Sequence, residues 1–560
     1  MLTIVVALLG AAGLSSIPPV DRDEPDFAQP ARQMLESGNF VDIRFQNAPL
    51  HEKPILTYWL QAGSAALFGG PEHNRIAAYR LPSVLAVWIA ALLTYELALI
   101  LFGGAAALSA AMLCASLPLV QSQAHQARAD ALLLAAMLGT IVPLARVYVS
   151  RASPGASRST PANVLFWVSL AASVLIKGPV GPALISLAAV TLSLLERDWR
   201  WLQRLQPWWG VPLFLLVLLP WPVALLRSSG ASFFVHAWQT DILPKLVSVQ
   251  ESHGAPPLSY ALAAPLTLWP ATLVLPSVAE FVWRRRWDLP IRFCLASILP
   301  GWLLFELAAT KLPHYVLPFV PMLSVLMAAC ADQRAIRPPS RTSSRIGVVL
   351  FVVAGLAIVA AIVAALMRFG TGFDVIAVVG TLILIATLIL VAVRAWVGRL
   401  ERPVGAAALC GMLASLMIFG IAMPRLQRLW VADRAARVVT ESVAEPGQPV
   451  LVVGYHEPSL VFLLGTQTRL VDAKGAVAAL EANQSSMAIV ASTSASELVR
   501  LAQTRAVDLQ EIARIGGVDP VHGRPIELGV WKIRSVSERP TEGTADGKEG
   551  VSRLIAPPTR

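Results

Sequence analysis

Long apolar runs are the feature of this sequence that most limits what the chain can fold into. A helix needs about 20 apolar residues to cross the hydrocarbon core of a bilayer. Runs that approach this length lie at about 1–19, 81–103, 105–122, 130–149, 162–176, 178–195, 209–227, 259–280, 293–310, 315–331, 347–367, 374–394 and 403–423. Only 14% of the residues are charged, against roughly 25% in soluble domains. The sequence therefore predicts a polytopic α-helical membrane protein with about 13 transmembrane helices.

The arginines between these runs predict the orientation of the chain. Every second loop carries a group of them, and the short loops between hold almost no arginine or lysine. The groups are Arg146, Arg151 and Arg158; Arg197, Arg200 and Arg204; Arg284, Arg285, Arg286 and Arg292; Arg334, Arg337, Arg341 and Arg345; and Arg394, Arg399 and Arg402. Cytoplasmic loops are enriched in such residues, so this set is predicted to lie inside. The net charge of +10 then reflects topology, and no nucleic-acid partner is predicted.

This topology places the first long loop and the end of the chain outside the cell membrane. Residues 1–425 are predicted to form the transmembrane domain, with an outer loop at 20–80. The alternative that the first run is a cleaved signal peptide leaves the rest of the topology unchanged, and the run lacks the positive n-region of such peptides. Within the loop, a short amphipathic helix is predicted along the membrane surface, with Gly38 ending it. The apolar segment at 54–69 is predicted to be interfacial or partly buried.

The last part of the chain has a different character. Between 426 and 535, short β-type stretches such as "QPVLVVGY" alternate with helical patterns such as "GAVAALEA". That alternation predicts a small α/β domain, outside the membrane, with a largely parallel sheet. Residues 536–560 are polar and charged and contain proline and glycine, and they are predicted to be disordered.

Polar side chains gather at the predicted outward ends of the membrane segments, where membrane enzymes and binding vestibules place their functional groups. Lys53, Lys177 and Lys311 are candidate phosphate-binding cations. Asp23 or Asp130 could orient or deprotonate an incoming hydroxyl group. The candidate metal ligands or proton carriers are Glu52, His253 and His314.

Each of these residues also has a structural interpretation. The lysines could be ordinary helix ends that reach toward water. Asp130 could form an ion pair with Arg128, and Glu306 could pair with Lys311. His125 is predicted to be a hydrogen-bonding residue rather than a ligand. The aspartates at 21 and 23 could belong to a solvated surface.

Five blocks, in order along the chain, resemble the lipid-linked sugar glycosyltransferases of the GT-C type. The blocks are "DEPDFAQPARQMLESGNF" at 23–40, "HEKPILTYWLQ" at 51–61, "ARADALLL" at 127–134, "LIKGPVG" at 175–181 and "KLPHYVLPFVP" at 311–321. The resemblance is to the bacterial aminoarabinose transferase and protein O-mannosyltransferase superfamily in particular. It covers residues 1–425 strongly and the tail weakly, and it implies a GT-C fold.

The resemblance implies roles for individual residues. Asp23 corresponds to the catalytic acid, with Glu24 beside it and Asp130 as the acid of the second outer loop. The residues implied near the lipid phosphate or lipid carrier are Lys53, Lys311 and Tyr315. Glu52 helps to form the site, and His253 corresponds to a site histidine. One position departs from the pattern, because Asp26 stands where the family often has an arginine, which leaves phosphate binding to Lys53, Lys311 and Arg22.

The implied activity is transfer of a sugar from a polyprenyl-phosphate donor to a cell-envelope acceptor, by inverting displacement, on the periplasmic face of a bacterial inner membrane. The expected acceptor is a glycolipid such as lipid A, and the alternative within the same chemistry is a protein. No cofactor is expected to be required, although Glu52 and His253 allow a divalent metal. A lipid or sugar transporter is the alternative of another class, and it would place ionisable residues near the middle of the bilayer.

Overall fold

The computed structural model describes residues 1–50, 53–70, 72–151, 159–230, 235, 255–333, 339–442, 449–482 and 485–533. Within these ranges nine helical segments are long and apolar enough to cross a membrane. They are Ile76–Phe102, Ala129–Ser150, Thr160–Lys177, Pro207–Ser229, Leu289–Leu307, Pro313–Asp332, Arg341–Phe369, Val375–Trp396 and Pro403–Arg425. The predicted polytopic helical fold is confirmed.

The other predicted runs are helical but shorter or broken. Leu2–Ala11 and Val180–Glu196 are short apolar helices. Gly104–Ser116 and Pro118–Ala124 meet at a bend of 63° and form a tenth span if they count as one. The run at 259–280 is divided into the short helices Ser259–Thr267, Ala271–Leu273 and Leu275–Arg285. Prolines lie at two of the breaks, Pro118 in the bent pair and Pro270 in the run at 259–280, because proline donates no backbone hydrogen bond and clashes with the preceding helical turn.

Small side chains allow the central helices to pack closely. The helix Gly104–Ser116 buries Ala106, Ala107, Ala110 and Ala111 almost completely against its neighbours. Lipid tails are as apolar as leucine, so association inside a bilayer depends on close packing of this kind. The same core includes the buried faces of Ile76–Phe102 and Ala129–Ser150, which contact each other directly. Ala129–Ser150 carries Asp130 of the candidate site, and Ile76–Phe102 carries Arg80, which holds the first loop through Glu24.

The first outer loop contains the predicted short helix. It spans Pro25–Ser37 and ends at Gly38, whose φ of 70° is the left-handed conformation that glycine adopts without strain. A two-stranded hairpin of β1 (Arg44–Phe45) and β2 (Ala48–Pro49) follows. The helix Leu56–Phe68 then accounts for the apolar segment predicted at 54–69. The apolar face of the first-loop helix packs on Leu56–Phe68 and on a helix of the tail.

The tail is the predicted α/β unit, but its sheet is mixed. The helices are Val431–Ser442, Pro458–Leu464, Ala473–Glu481 and Ser492–Thr504. The strands are β3 (Leu451–Val453), β4 (Arg469–Val471), β5 (Met487–Ala491), β6 (Leu509–Val518) and β7 (Pro525–Ile533), in the order β4-β3-β5-β7-β6. β3 is parallel to β4 and β5, whereas β7 is antiparallel to β5 and β6.

The prediction of a largely parallel sheet is therefore wrong. The sequence analysis missed β6, whose polar and glycine-containing stretch lacks a clear alternation of apolar residues. A short turn joins β6 directly to β7, and a direct turn of this kind requires antiparallel neighbours. The predicted disordered segment 536–560 lies outside the described residues.

Hydrogen bonds hold the tail against the first outer loop. Arg32 donates to the carbonyl oxygen of Phe462 at 2.7 Å, and Gln29 donates to the hydroxyl group of Thr466 at 2.6 Å. Gln46 donates to the carbonyl oxygen of Thr468 at 2.5 Å. The tail and the membrane domain therefore meet directly at the loop that carries Asp23.

Candidate active site

The candidate site forms where the ends of several helical segments converge. Asp23 lies just before the first-loop helix, and Arg128 lies just before Ala129–Ser150. Lys177 is the last residue of Thr160–Lys177. His314 and Tyr315 belong to the 3₁₀ turn Pro313–Phe319. Polar groups are tolerated at such ends because they can be paired or hydrated there.

Asp130 is the centre of a compact group of charged and aromatic side chains. Its Oδ1 accepts a hydrogen bond from Lys177 Nζ at 2.5 Å, and its Oδ2 lies 3.8 Å from His314 Nε2. Lys177 Nζ also lies 5.5 Å from the centre of the Tyr315 ring, over its face. The ring of His314 meets that of Tyr315 edge-on at 5.2 Å. The structure thus brings together four residues predicted from the sequence, Asp130, Lys177, His314 and Tyr315.

Asp23 is connected to this group through Arg128. Arg128 Nη1 lies 3.2 Å from Asp23 Oδ2, and the Asp23 side chain is 63% exposed, so it can reach a bound molecule. The alternative that Arg128 pairs with Asp130 is wrong, because Lys177 takes that position. Arg128 Nε is buried without a hydrogen-bond partner in the described part of the chain. An arginine at this place supplies a cation next to the predicted catalytic acid, which the sequence analysis did not foresee.

Glu24 has quite different surroundings from its neighbour Asp23. It is fully buried, and its two oxygens accept hydrogen bonds from Arg80 at 2.7 Å each. It also accepts from the backbone N–H of Ala127 at 2.8 Å. Arg80 in turn donates to three backbone carbonyls before the first loop, those of Leu14, Ile17 and Pro18.

These contacts assign Glu24 a positioning role rather than a catalytic one. The ion pair ties the entry of the first loop to the segment that carries Arg128, so it fixes both halves of the Asp23–Arg128 pair. Sequence reasoning missed Arg80. The sequence did contain a signal, because Arg80 lies at the edge of an otherwise apolar run. A charged arginine in a membrane is energetically unfavourable unless it is paired.

Lys311 lies beside a second buried acid but does not pair with it. Lys311 Nζ donates to the carbonyl oxygens of Ala255 at 2.9 Å and Ala308 at 2.6 Å. Glu306 Oε1 instead accepts from the backbone N–H of Ala261 at 3.0 Å. Burial raises the pKa of the nearby Tyr260 hydroxyl, which therefore stays protonated. The alternative of a Glu306–Lys311 ion pair is wrong in the region that the structure describes.

The remaining predicted residues are not part of the Asp130 group. Lys53 is half-buried just before the helix Leu56–Phe68. Glu52 and His253, the predicted metal ligands, lie outside the described residues. Asp21 faces the tail, where Tyr455 donates to it at 3.3 Å. His125 contacts the carbonyl oxygens of Gln121 and Ala12 through its two ring nitrogens, so the prediction of a hydrogen-bonding residue is confirmed.

The arrangement combines the groups that are needed for a transfer reaction in which a phosphate is the leaving group. An exposed carboxylate, Asp23, lies beside a guanidinium group, and a second carboxylate, Asp130, lies beside an ammonium group. Cations in a partly buried site can stabilise negative charge as it develops on a leaving oxygen. A carboxylate within reach can orient or deprotonate an attacking group.

Comparisons with known proteins show what this chain resembles. The family model described as dolichyl-phosphate-mannose-protein mannosyltransferase matches residues 52–223. A relative from Pseudomonas paraeruginosa, named undecaprenyl phosphate-alpha-4-amino-4-deoxy-L-arabinose arabinosyl transferase, is 29% identical over 338 residues, which cover 58% of this chain and 59% of the relative. The protein of that name from Serratia proteamaculans is 26% identical over 312 residues, or 55% of each chain. The chain thus spans little more than half the length of the curated relatives it matches.

A solved structure resembles nearly the whole chain. It is ArnT from Cupriavidus metallidurans bound to undecaprenyl phosphate, with a TM-score of 0.73 and 19% sequence identity. The match covers 94% of this chain and 97% of that one, so the likeness in fold includes the tail. This likeness shows that the chain shares the fold of that solved membrane protein.

Proposed function

We propose that this protein is a glycosyltransferase that moves a sugar from a polyprenyl phosphate to a cell-envelope glycolipid such as lipid A. The proposed donor carrier is undecaprenyl phosphate, and the proposed location is the periplasmic face of a bacterial inner membrane. The observation that carries the proposal is the convergence of Asp23, Arg128, Asp130 and Lys177 at neighbouring helix ends. The names of the matched relatives support the class of donor.

The proposed reaction is a single displacement at the anomeric carbon. An acceptor oxygen forms a bond to that carbon from one face while the bond to the phosphate oxygen breaks on the other face. The electron pair of the broken bond stays on the polyprenyl phosphate, and the configuration of the sugar is inverted. The chain's cations stabilise the charge that grows on the leaving oxygen.

Three cations are candidates for holding the donor phosphate. Arg128 compensates for the arginine that the family pattern would place at position 26, because its guanidinium group lies beside Asp23. Among the described residues, Lys311 uses two of its three N–H donors on backbone carbonyls, and in the proposed complex the third donates to a phosphate oxygen. Lys53 is the third candidate, as the "EK" pair of the resemblance implies.

The role of Asp23 depends on the acceptor. For a hydroxyl acceptor, Asp23 takes the proton as the new bond forms. For a phosphate acceptor, which is already ionised, no strong base is needed, and Asp23 positions the acceptor or the sugar. The reaction itself requires no metal, and a divalent ion at Glu52 and His253 would only add positive charge near the donor.

Two other functions are distinguishable. Protein O-glycosylation is the second candidate, because the matching family model is that of protein mannosyltransferases. Transport is disfavoured by the place of the ion pairs, since Asp23–Arg128 and Asp130–Lys177 lie at the ends of helical segments. A transport pathway would instead be expected to hold such groups near the middle of the bilayer.

The test is mass spectrometry of lipid A from cells that carry the wild-type protein, Asp23→Ala, Asp42→Ala or no copy. Asp42→Ala is the matched control, because Asp42 is another first-loop aspartate paired with an arginine, Arg44. We expect a sugar-sized mass increment with wild type and Asp42→Ala and none with Asp23→Ala. Identical lipid A in all four strains, with the three proteins equally abundant in the strains that carry them, would reject the lipid A acceptor. Sugar increments on envelope proteins would then support protein glycosylation.

A further inference from the structure

A second group of ionisable side chains lies where the first outer loop meets the tail. Glu457 precedes the helix Pro458–Leu464, and Asp519 and His522 lie in the turn between β6 and β7. One carboxylate oxygen of each acid and one ring nitrogen of His522 all lie within 4.8 Å of one another. Asp21, from the first loop, reaches the same region and contacts Tyr455.

Asp519 accepts hydrogen bonds from its own turn, whereas Glu457 and Asp21 are less well satisfied by the described part of the chain. Glu457 is 8% exposed, and its carboxylate has no hydrogen bond or ion pair within the described ranges. Asp21 Oδ1 is also buried with no hydrogen-bond partner among the described residues. A buried carboxylate without a partner is strongly unfavourable, so such a group normally meets a cation or takes up a proton.

We propose that Glu457, Asp519 and His522, joined by Asp21, bind a divalent transition-metal ion of the Zn²⁺ type. Carboxylate oxygen and imidazole nitrogen both bind Zn²⁺ at about 2.0–2.2 Å. The histidine favours such an ion over Mg²⁺ or Ca²⁺, which take oxygen ligands. His522 Nδ1 now lies 2.6 Å from Asp519 Oδ2, and a bound ion would replace this contact by a bond to each.

The consequence of this site is structural. Asp21 lies two residues before Asp23, so an ion shared by Asp21 and the tail would fix the start of the loop that carries the candidate catalytic acid. This metal site is separate from the pair Glu52 and His253 predicted from the sequence. It rests on the described tail and first loop, and it stands whether or not the proposed sugar transfer is correct.

The first test is the metal content of the purified full-length protein. The protein in detergent is stripped with a chelator, incubated with Zn²⁺, desalted and analysed by elemental mass spectrometry. The variants are Glu457→Gln and His522→Gln, and the matched control is His456→Gln, which removes an exposed histidine outside the group. We expect wild type and His456→Gln to retain one more equivalent of Zn²⁺ than the other two proteins. Any metal at Glu52 and His253 is common to all four, so only the difference counts.

Equal Zn²⁺ content in all four proteins would overturn the proposal. His522→Gln keeps this outcome informative, because the side chain is 54% exposed and its replacement should not prevent folding. Size-exclusion chromatography checks that the Glu457→Gln protein is folded. The part played by Asp21 is tested by titrating Zn²⁺ into Asp21→Asn, for which we expect at least about tenfold weaker binding. Unchanged affinity in that variant would remove Asp21 from the site.

Discussion

Asp23 and Glu24 are adjacent in sequence but have opposite environments. The side chain of Asp23 is 63% exposed and touches one cation, whereas Glu24 is completely buried in an ion pair with Arg80. A buried carboxylate held by two guanidinium hydrogen bonds and a backbone N–H is suited to fixing structure. An exposed carboxylate at the mouth of a site is suited to meeting a substrate. Asp23 is thus suited to contact a substrate, and its neighbour Glu24 is suited to fix the structure of the loop.

Removing the charge of Glu24 should destabilise the protein strongly. In Glu24→Gln the guanidinium group of Arg80 stays buried without its counter-ion, a situation that costs about 3–5 kcal/mol in other proteins. We expect a clear fall in the temperature of unfolding in detergent, measured by intrinsic fluorescence. The control is Glu481→Gln, whose carboxylate forms an exposed pair with Arg505 and should matter little. Equal unfolding temperatures for the two variants would contradict the positioning role.

Arg128 should matter for turnover rather than for stability. In Arg128→Gln the cation beside Asp23 is lost, and loss of one donor to a developing oxyanion typically lowers turnover by about 10²–10³-fold. The measurement is initial-rate sugar transfer to lipid A in detergent, with kcat and KM determined separately. Arg44→Gln provides the comparison, because Arg44 pairs with another first-loop aspartate, Asp42, away from the site. Unchanged kcat in Arg128→Gln would exclude Arg128 from the leaving-group site.

At the scale of elements, the site depends on where helices stop. Thr160–Lys177 ends at the lysine that meets Asp130, because Gly178 follows with a φ of 66°, a conformation that ends the helix. The first-loop helix likewise ends at a glycine, Gly38. The tail helix Pro458–Leu464 packs across this first-loop helix. The tail therefore supports the loop that carries Asp23 rather than forming a detached module.

Weakening this support should loosen the tail without unfolding the membrane helices. Arg32→Ala removes the 2.7 Å hydrogen bond to the carbonyl oxygen of Phe462 and leaves that buried oxygen unsatisfied. We expect faster hydrogen–deuterium exchange in the peptides that cover 458–471, with the membrane helices unchanged. Arg44→Ala is the control, since Arg44 contacts only other first-loop residues among its recorded partners. Equal exchange in both variants would show that the Arg32 contact does not hold the tail.

At the scale of the whole molecule, the two predicted membrane faces of the protein carry different polar residues. The arginine-rich loops and the candidate site belong to alternating sets of helix ends, and the proposed function requires the site to face the periplasm. The four cysteines are buried, so a new surface cysteine is the reactive thiol in the described region. This makes the orientation directly measurable.

The proposed orientation predicts a simple labelling pattern. A membrane-impermeant maleimide added to intact spheroplasts should label Asn47→Cys, in the first outer loop, and should not label Glu401→Cys. After permeabilisation both should react, because both positions are exposed. The wild-type protein controls for reaction of its own cysteines. Labelling of Glu401→Cys alone in intact spheroplasts would place the candidate site in the cytoplasm.

The sequence was informative wherever a single physical property decides the outcome. Hydrocarbon excludes unpaired backbone polar groups, so long apolar runs have to be helices. The run at 347–367 lies within the helix Arg341–Phe369, and all but the last residue of the run at 81–103 lies within Ile76–Phe102. The first-loop helix and its stop at Gly38 follow from local pattern and from glycine's conformational freedom. The charged residues of the site could also be predicted from the sequence, because charged side chains beside apolar membrane segments are rare and are usually functional.

The sequence alone determined the helical membrane fold, the α/β nature of the tail and the identity of most of the charged residues that meet at the site. Only the tertiary structure decided which charges pair: Lys177 with Asp130, Arg128 with Asp23 and Arg80 with Glu24. It also decided the mixed order of the tail's sheet and the meeting of Glu457 with Asp519 and His522. Helix formation depends on neighbours along the chain, whereas the tertiary contacts join distant residues, such as Asp21 and Tyr455, which are 434 positions apart. Those distances are set by how the elements pack, which no local pattern in the sequence records.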